Sequence, residues 1–217
     1  MMRRIFLTGL AVLAAASASA APNVTNASQK GSLLIFPDIR IDDEAGQPWN
    51  TLIRIQNDGG MNVDVVCYWM DGNKNRTDVA FEITKDQPFW FDARTGTGTH
   101  HVNPFPQTVA NGFDNPYLLT PPATDEASDG PGLYYKGLLA CWVTDPGHQN
   151  QVKWNHLSGT ATVYHPTLGA YEYNAYAFFA PQGLDMQPIG VAGALKLDGM
   201  EYDWCPLYQI GQFTPIP

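Results

Sequence analysis

Val63-Asp64-Val65-Val66-Cys67-Tyr68-Trp69 places Val63, Val65, Cys67 and Trp69 on one side of an extended chain, because successive side chains of a strand point to opposite faces. After the turn Asp71-Gly72-Asn73, the residues Val79, Phe81 and Ile83 alternate with Asp78 and Glu82. Two such runs joined by turn residues predict an antiparallel pair. Upstream, Thr51 to Gln56 sets Ile53 and Ile55 against Arg54 and Gln56, and Asn57-Asp58-Gly59-Gly60 separates this run from Val63. The Asp-Gly step is a hairpin signal because glycine tolerates positive φ, so the reading predicts a meander of three strands.

The first run, Ser32 to Ile41, puts Leu33, Ile35, Ile39 and Ile41 on one face and Asp38 and Arg40 on the other. Pro37 removes a ladder N–H from it, which predicts an edge or bulged strand. Downstream, residues 94–132 lose all periodicity and carry the tandem His100-His101 and the acids Asp125, Glu126 and Asp129. A segment of that length predicts one long loop, functional or mobile. Strand patterns resume at Tyr134 to Thr144, His156 to Tyr164 and Ala170 to Phe179. In the last, Tyr171, Tyr173, Ala175, Ala177 and Phe179 share one face and Glu172, Asn174 and Tyr176 the other. Gly190 to Gly199 could add another strand. No helical periodicity follows the first twenty residues. The fold class expected is therefore all-β: a single antiparallel β-sandwich, immunoglobulin-like or jelly-roll-like, over residues 21–217, with one long loop at about 94–132.

Composition agrees with a packed domain. Of 217 residues 44% are hydrophobic and 15% charged, with 12 Lys+Arg against 21 Asp+Glu and a net charge of -9. Such a chain is neither disordered nor fibrous. It offers no basic stripe for phosphates, so nucleic acid is not an expected partner. Residues 1–20 read as a signal peptide: Arg3 and Arg4, an apolar stretch from Ile5 to Ala16, and Ala18-Ser19-Ala20 as a small-residue cleavage pattern. Removing them deepens the charge to -11. No later run approaches the ~20 apolar residues of a membrane-spanning helix, so the expectation is an exported chain, periplasmic or extracellular, that does not span a membrane.

Export places Cys67, Cys141 and Cys205 where disulfides persist. Cys67 and Cys141 lie in strand-like runs and Cys205 precedes Pro206 in a turn-like one, so Cys67 with Cys141 is the expected structural disulfide. The alternative is three buried thiols behaving as small hydrophobes.

Several patterns touch on chemistry without assigning any. Asp71, Asn73, Asn75 and Glu82 match positions 1, 3, 5 and 12 of an EF-hand loop, but Arg76 stands where the turn needs glycine and the flanks are strands, which favours a plain hairpin turn. Asp42, Asp43 and Glu44, or the acids at 125–129, could serve a loop calcium site, although short acidic runs are commonly solvated surface. His100 and His101 point to opposite faces of an extended chain. Cys141 and His148 lack the nearby Met of a blue-copper loop. His156-Leu157-Ser158-Gly159 has no nucleophile elbow around its serine. Neither a metal nor a cofactor is expected.

Glu82 and Glu172 sit on the polar sides of their strands, and Glu172 lies near Asn174 and Tyr176, as in a sugar-cleaving groove. Exposed polar strand faces would look the same. Among the aromatic residues, most alternate with aliphatics as core does. Trp90, Trp154 and Tyr176 are the candidates for exposure and for carbohydrate binding, since the apolar C–H faces of sugars stack on such rings.

At Lys30-Gly31-Ser32-Leu33-Leu34-Ile35-Phe36-Pro37, Gln87-Pro88-Phe89-Trp90, Trp154-Asn155-His156-Leu157-Ser158-Gly159-Thr160-Ala161 and Tyr171-Glu172-Tyr173-Asn174-Ala175-Tyr176-Ala177-Phe178, the chain resembles a group of uncharacterised exported bacterial all-β proteins. The group has no assigned activity, so the resemblance implies export and an all-β fold and no catalytic residue. The expected function is an exported non-enzymatic structural or interaction domain, adhesive or assembling, that meets protein partners or itself through sheet edges such as the Pro37-interrupted run. The alternatives are a carbohydrate-binding or carbohydrate-cleaving secreted module and a metal-binding exported protein.

Overall fold

The computed structural model describes residues 30–41, 49–71, 76–86, 88–103, 105, 136–205 and 214–216. The expected signal peptide, Asn73 and Asn75, the acids at 42–44 and 125–129, and the larger part of the 94–132 loop lie outside them. Twelve strands and no helix form among the described residues: β1 (Leu33–Arg40), β2 (Asn50–Asn57), β3 (Val63–Asp71), β4 (Arg76–Ile83), β5 (Phe89–Asp92), β6 (Lys136–Thr144), β7 (Asn150–Val152), β8 (Leu157–His165), β9 (Gly169–Asn174), β10 (Tyr176–Phe178), β11 (Pro188–Val191) and β12 (Thr214–Ile216). One sheet runs β10-β1-β6-β3-β4, with β7 joined to β6 and β11 to β7; the other runs β12-β9-β8-β2-β5. Both are antiparallel throughout. They face each other as a β-sandwich.

The alternation of β3 fixes the inner layer. Val63, Val65, Cys67 and Trp69 point between the sheets and pack with Ile53 and Ile55 of β2, Phe89 and Phe91 of β5, and Leu139, Cys141 and Val143 of β6. Each large apolar side chain removed from water there contributes on the order of 1.5–3 kcal/mol. Cys67 lies directly opposite Cys141 in the β3–β6 ladder, and the two form the expected disulfide. Cys205 is free and exposed.

The outer side of the seven-stranded sheet is covered as well. Leu33, Trp142, Tyr176 and Phe178 pack there under Ile189, Leu195, Leu197 and Tyr202. This explains why β6 reads as an unbroken apolar run, Leu138-Leu139-Ala140-Cys141-Trp142-Val143: it is a central strand buried on both faces. Of the glycine-rich stretch expected to add a strand, only its start does so, as the end of β11.

Three expectations are corrected. First, of the two readings of β1 the bulge holds and the edge does not, and its single apolar face is overturned: Leu33, Leu34 and Ile35 pair with β10 on one side and with β6 on the other. It is bulged, since Phe36 faces Leu139 while Ile39 faces Gly137. The extra residue at Pro37-Asp38 reverses the phase, so Leu34 and Phe36 enter the inner core before the bulge and Ile39 and Ile41 after it, while Leu33 and Ile35 turn outward.

Second, β2 and β3 are not hairpin partners. β2 pairs with β5 and β8, and β3 with β4 and β6, so Asn57-Asp58-Gly59-Gly60 crosses from one sheet to the other. Neither Gly59 nor Gly60 takes the positive φ of a type I′ turn. The Asn57 side chain holds the crossing instead: its Nδ2 donates to the Met61 carbonyl at 2.8 Å, and its Oδ1 accepts from the Gly59 N–H at 3.0 Å.

Third, residues 170–179 form two strands, not one. β9 belongs to the five-stranded sheet and β10 to the seven-stranded one, with the change at Ala175, whose N–H donates to Gly159 O at 2.9 Å. The start of the expected long loop is also pinned. Trp69 Nε1 donates to Asn103 O at 3.0 Å, and Phe105 meets Trp69 edge-on with ring centroids 5.6 Å apart.

Candidate functional site

In Phe89-Trp90-Phe91 the alternation of β5 buries both phenylalanines and turns Trp90 outward, leaving it 43% exposed. The register then sets its neighbours. Arg54 of β2 lies opposite Trp90, Thr160 of β8 opposite Arg54, and Asn174 of β9 opposite Thr160. These four residues make one straight row across the outer face of the five-stranded sheet. Gln56 and Ser158 form a row on one side; Asp92, Leu52, Thr162 and Glu172 form the next on the other. Lys30, Pro88, Gly159 and Ala175 complete a shallow groove of about 670 Å³ over this face.

The polar groups differ in how far they are already used. The Lys30 ammonium is paired with the Asp58 carboxylate. Glu172 Oε2 accepts from Thr162 Oγ1 at 3.1 Å. Asp92 is committed to its own turn: its Oδ2 accepts from Asn50 Nδ2 at 2.6 Å, and its Oδ1 accepts from the N–H groups of Arg94 and Thr95, each at 2.9 Å. The Arg54 guanidinium, exposed at the middle of the row, has no partner among the described residues.

Of the three aromatic candidates, Trp90 alone lines the groove. Trp154 is 3% exposed, with Nε1 donating to Asn57 Oδ1 at 2.9 Å and its ring lying against Gly59. It precedes β8, outside the regular alternation, so nothing in the pattern marked it as core. Tyr176 is 5% exposed. Its alternation with Glu172 and Asn174 holds, but the chain changes sheets between them, and the outer face it reaches is the covered one.

Sequence reasoning passed over Arg54, Thr160 and Tyr164. The last is 37% exposed on the same face as Trp90, two rows away, and its Oη accepts from Asn50 Nδ2 at 2.9 Å. Burial, and then the adjacent Asp92 carboxylate, raise its phenol above the ordinary value. The signal was present: Tyr164 shares its alternation with Ser158, Thr160 and Thr162.

The two strand glutamates, Glu82 and Glu172, do not meet. Glu82 is exposed on β4 of the seven-stranded sheet, where its Oε1 accepts from Asn62 Nδ2, while Glu172 lies on the outer face of the opposite sheet. Two sheets about 10 Å apart lie between them, so they cannot flank one glycosidic bond. Asp92 and Glu172 stand three strands apart, about 14 Å between their backbones, and both carboxylates are already engaged, Asp92 with Asn50 and the N–H groups of Arg94 and Thr95, Glu172 with Thr162.

Metal sites fare no better. Glu82 faces Asp64 in the β3–β4 ladder, seven residues from Asp71, or about 23 Å along the strand, so these two cannot belong to one calcium loop. No group of three or more His, Cys, Asp or Glu that could hold a metal occurs among the described residues. His156 is engaged with Asp185 at 3.0 Å. No helix among the described residues is long and apolar enough to cross a membrane.

No protein-family model, no curated protein and no solved structure matches the chain.

Proposed function

We propose that this chain is an exported, non-enzymatic binding domain whose five-stranded sheet takes a carbohydrate. The observation that carries the reading is the row Trp90, Arg54, Thr160 and Asn174, in register on four adjacent strands. An exposed indole presents an electron-rich face to the C–H groups of a sugar ring. Beside it the guanidinium, hydroxyl and amide supply donors and acceptors spaced at about 4.8 Å, the interval between strands. Strands hold these groups more firmly than a loop would. The groove is open along the sheet, which suits a chain of sugar units better than an enclosed small molecule.

Association through β1, β4 or β5 has less support. β1 is interior. Along β5, the Trp90 carbonyl accepts from the Thr99 N–H at 2.9 Å and the Asp92 N–H donates to Thr97 O at 2.8 Å, so the returning segment already occupies that edge. β4 carries exposed Arg76, Asp78 and Glu82, charges that discourage strand addition.

A glycan array probed with the full chain tests the proposal. Binding to defined glycans, lost in Trp90→Ala with unchanged circular dichroism, supports it. An array with no glycan bound above background overturns it.

A further inference from the structure

Resting on the carbohydrate reading, we propose that the groove selects glycans bearing uronic acids, with the carboxylate of the sugar stacked on Trp90 held by Arg54. Arg54 faces Trp90 directly across the β2–β5 pair. Facing side chains in such a pair start about 5 Å apart, so a substituent projecting in the plane of a sugar on the indole falls within reach of the guanidinium. The guanidinium is a planar fork that matches a carboxylate through two parallel hydrogen bonds, and no carboxylate among the described residues fills it. A neutral hexose offers a hydroxymethyl group at the same place, which cannot be gripped by both arms.

The remaining charges decide what kind of acidic glycan fits. Lys30 is neutralised by Asp58, so Arg54 is the positive centre of the groove. Asp92 stands one strand across and two residues along from Arg54, roughly 8 Å between backbones, and Glu172 two strands across and two residues along, roughly 12 Å; both repel a second anion beside Arg54, and Glu172 accepts from hydroxyls. A net charge of -9 on the whole chain also disfavours dense polyanions. The ligand that meets these conditions carries isolated carboxylates among neutral units.

The test is calorimetric titration of the full chain with oligosaccharides containing glucuronic or galacturonic acid, each paired with its carboxyl-reduced neutral counterpart and with a sulfated neutral analogue. The acidic member should bind about tenfold or more tightly than the neutral one, the range a charge-assisted bidentate contact supplies. The advantage should shrink as salt rises and vanish in Arg54→Gln. Equal affinity of the acidic and neutral members overturns the inference while leaving the carbohydrate reading intact. Preference for the sulfated analogue overturns the carboxylate assignment. No binding by any member overturns the carbohydrate reading itself. The wild-type comparison decides among these outcomes even if the variant fails to fold.

Discussion

Trp154 Nε1 donates to Asn57 Oδ1 at 2.9 Å, and the indole packs against Gly59, so one buried ring fastens the crossing from β2 to β3. A Cβ on Gly59 would collide with Trp154 Cζ2. Gly59→Ala should therefore destabilise the protein by about 1–3 kcal/mol through overpacking. Asn57→Ala should cost a similar amount by leaving the indole N–H unsatisfied. Denaturant melts check both. Trp154→Ala should lose about 3–5 kcal/mol to the cavity it opens, so any effect of that variant on ligand binding would report unfolding and not a lost contact.

The covalent link between β3 and β6 makes a separate prediction. Cys67 and Cys141 are 74 residues apart in sequence, and closing a loop of that length restricts the unfolded chain by about 4 kcal/mol in the chain-entropy account. The paired variant Cys67→Ala, Cys141→Ala should fall in stability by about 2–5 kcal/mol. Thiol titration gives an independent check. The unreduced protein should show one reactive thiol, Cys205, whether folded or unfolded, and three after reduction and unfolding. Three thiols without reductant would exclude the pair.

What could be read beforehand followed from how much of each strand obeyed a single rule. β3 was legible because Val63, Val65, Cys67 and Trp69 are all buried on one face with no interruption. Trp90 was legible because Phe89 and Phe91 bracket it. β1 was misread in phase because Pro37-Asp38 adds a residue that alternation cannot count. Tyr176 was misread because burial depends on which sheet a strand joins, a tertiary fact that its own alternation does not contain. The Asn57 to Gly60 turn was misread because a glycine required by a neighbouring indole looks the same in sequence as one required by positive φ. The groove itself was barely visible. Its row is assembled from residues 54, 90, 160 and 174, and only the pairing of β5, β2, β8 and β9 brings them into line.

Alkaline titration should be strongly cooperative. Burial, and then the hydrogen bond to Asp38, raise the Tyr171 phenol; burial raises Tyr173 and Tyr202 further above their ordinary 10.0. A phenol is neutral when protonated, so a folded value above the unfolded one means that the unfolded state loses protons first. The stability these groups contribute is present in full below about pH 10 and is lost as pH rises toward the folded values. Phenolate absorbance of Tyr171, Tyr173 and Tyr202 should therefore appear well above pH 10 and together with loss of circular dichroism. Ionisation of all ten tyrosines in one step before unfolding would contradict this.

At the acid end the β6–β7 turn should open before the sandwich does. Asn150 Nδ2 donates to Asp145 Oδ2 at 2.7 Å, and the N–H groups of Gln149 and Asn150 donate to Oδ1 at 2.8 and 3.2 Å. These bonds, the Asn150 side chain first, hold the carboxyl below its ordinary 3.8. A depressed value contributes stability above the unfolded pKa that is lost as pH falls through the folded one. Amide exchange at Gln149 and Asn150 should accelerate in that acid window while β3 and β6 stay protected, and Asp145→Ala should produce the same acceleration at neutral pH.

The covered face of the seven-stranded sheet contains hydroxyls that work against it. Tyr202 Oη and Tyr176 Oη are both buried without a hydrogen-bond partner among the described residues. Taking a hydroxyl out of water without such a partner costs about 1–3 kcal/mol, while the rings themselves fill the space beside Trp142 and Phe178. Tyr202→Phe and Tyr176→Phe keep the ring and remove the unsatisfied oxygen, so each should leave stability unchanged or raise it by about 1 kcal/mol. Tyr202→Ala should instead cost about 3–5 kcal/mol by emptying the same space. Urea melts of the three variants decide the matter: a Phe variant that loses as much as the Ala variant would mean that the hydroxyl, and not the ring, holds the 188–204 segment against the sheet.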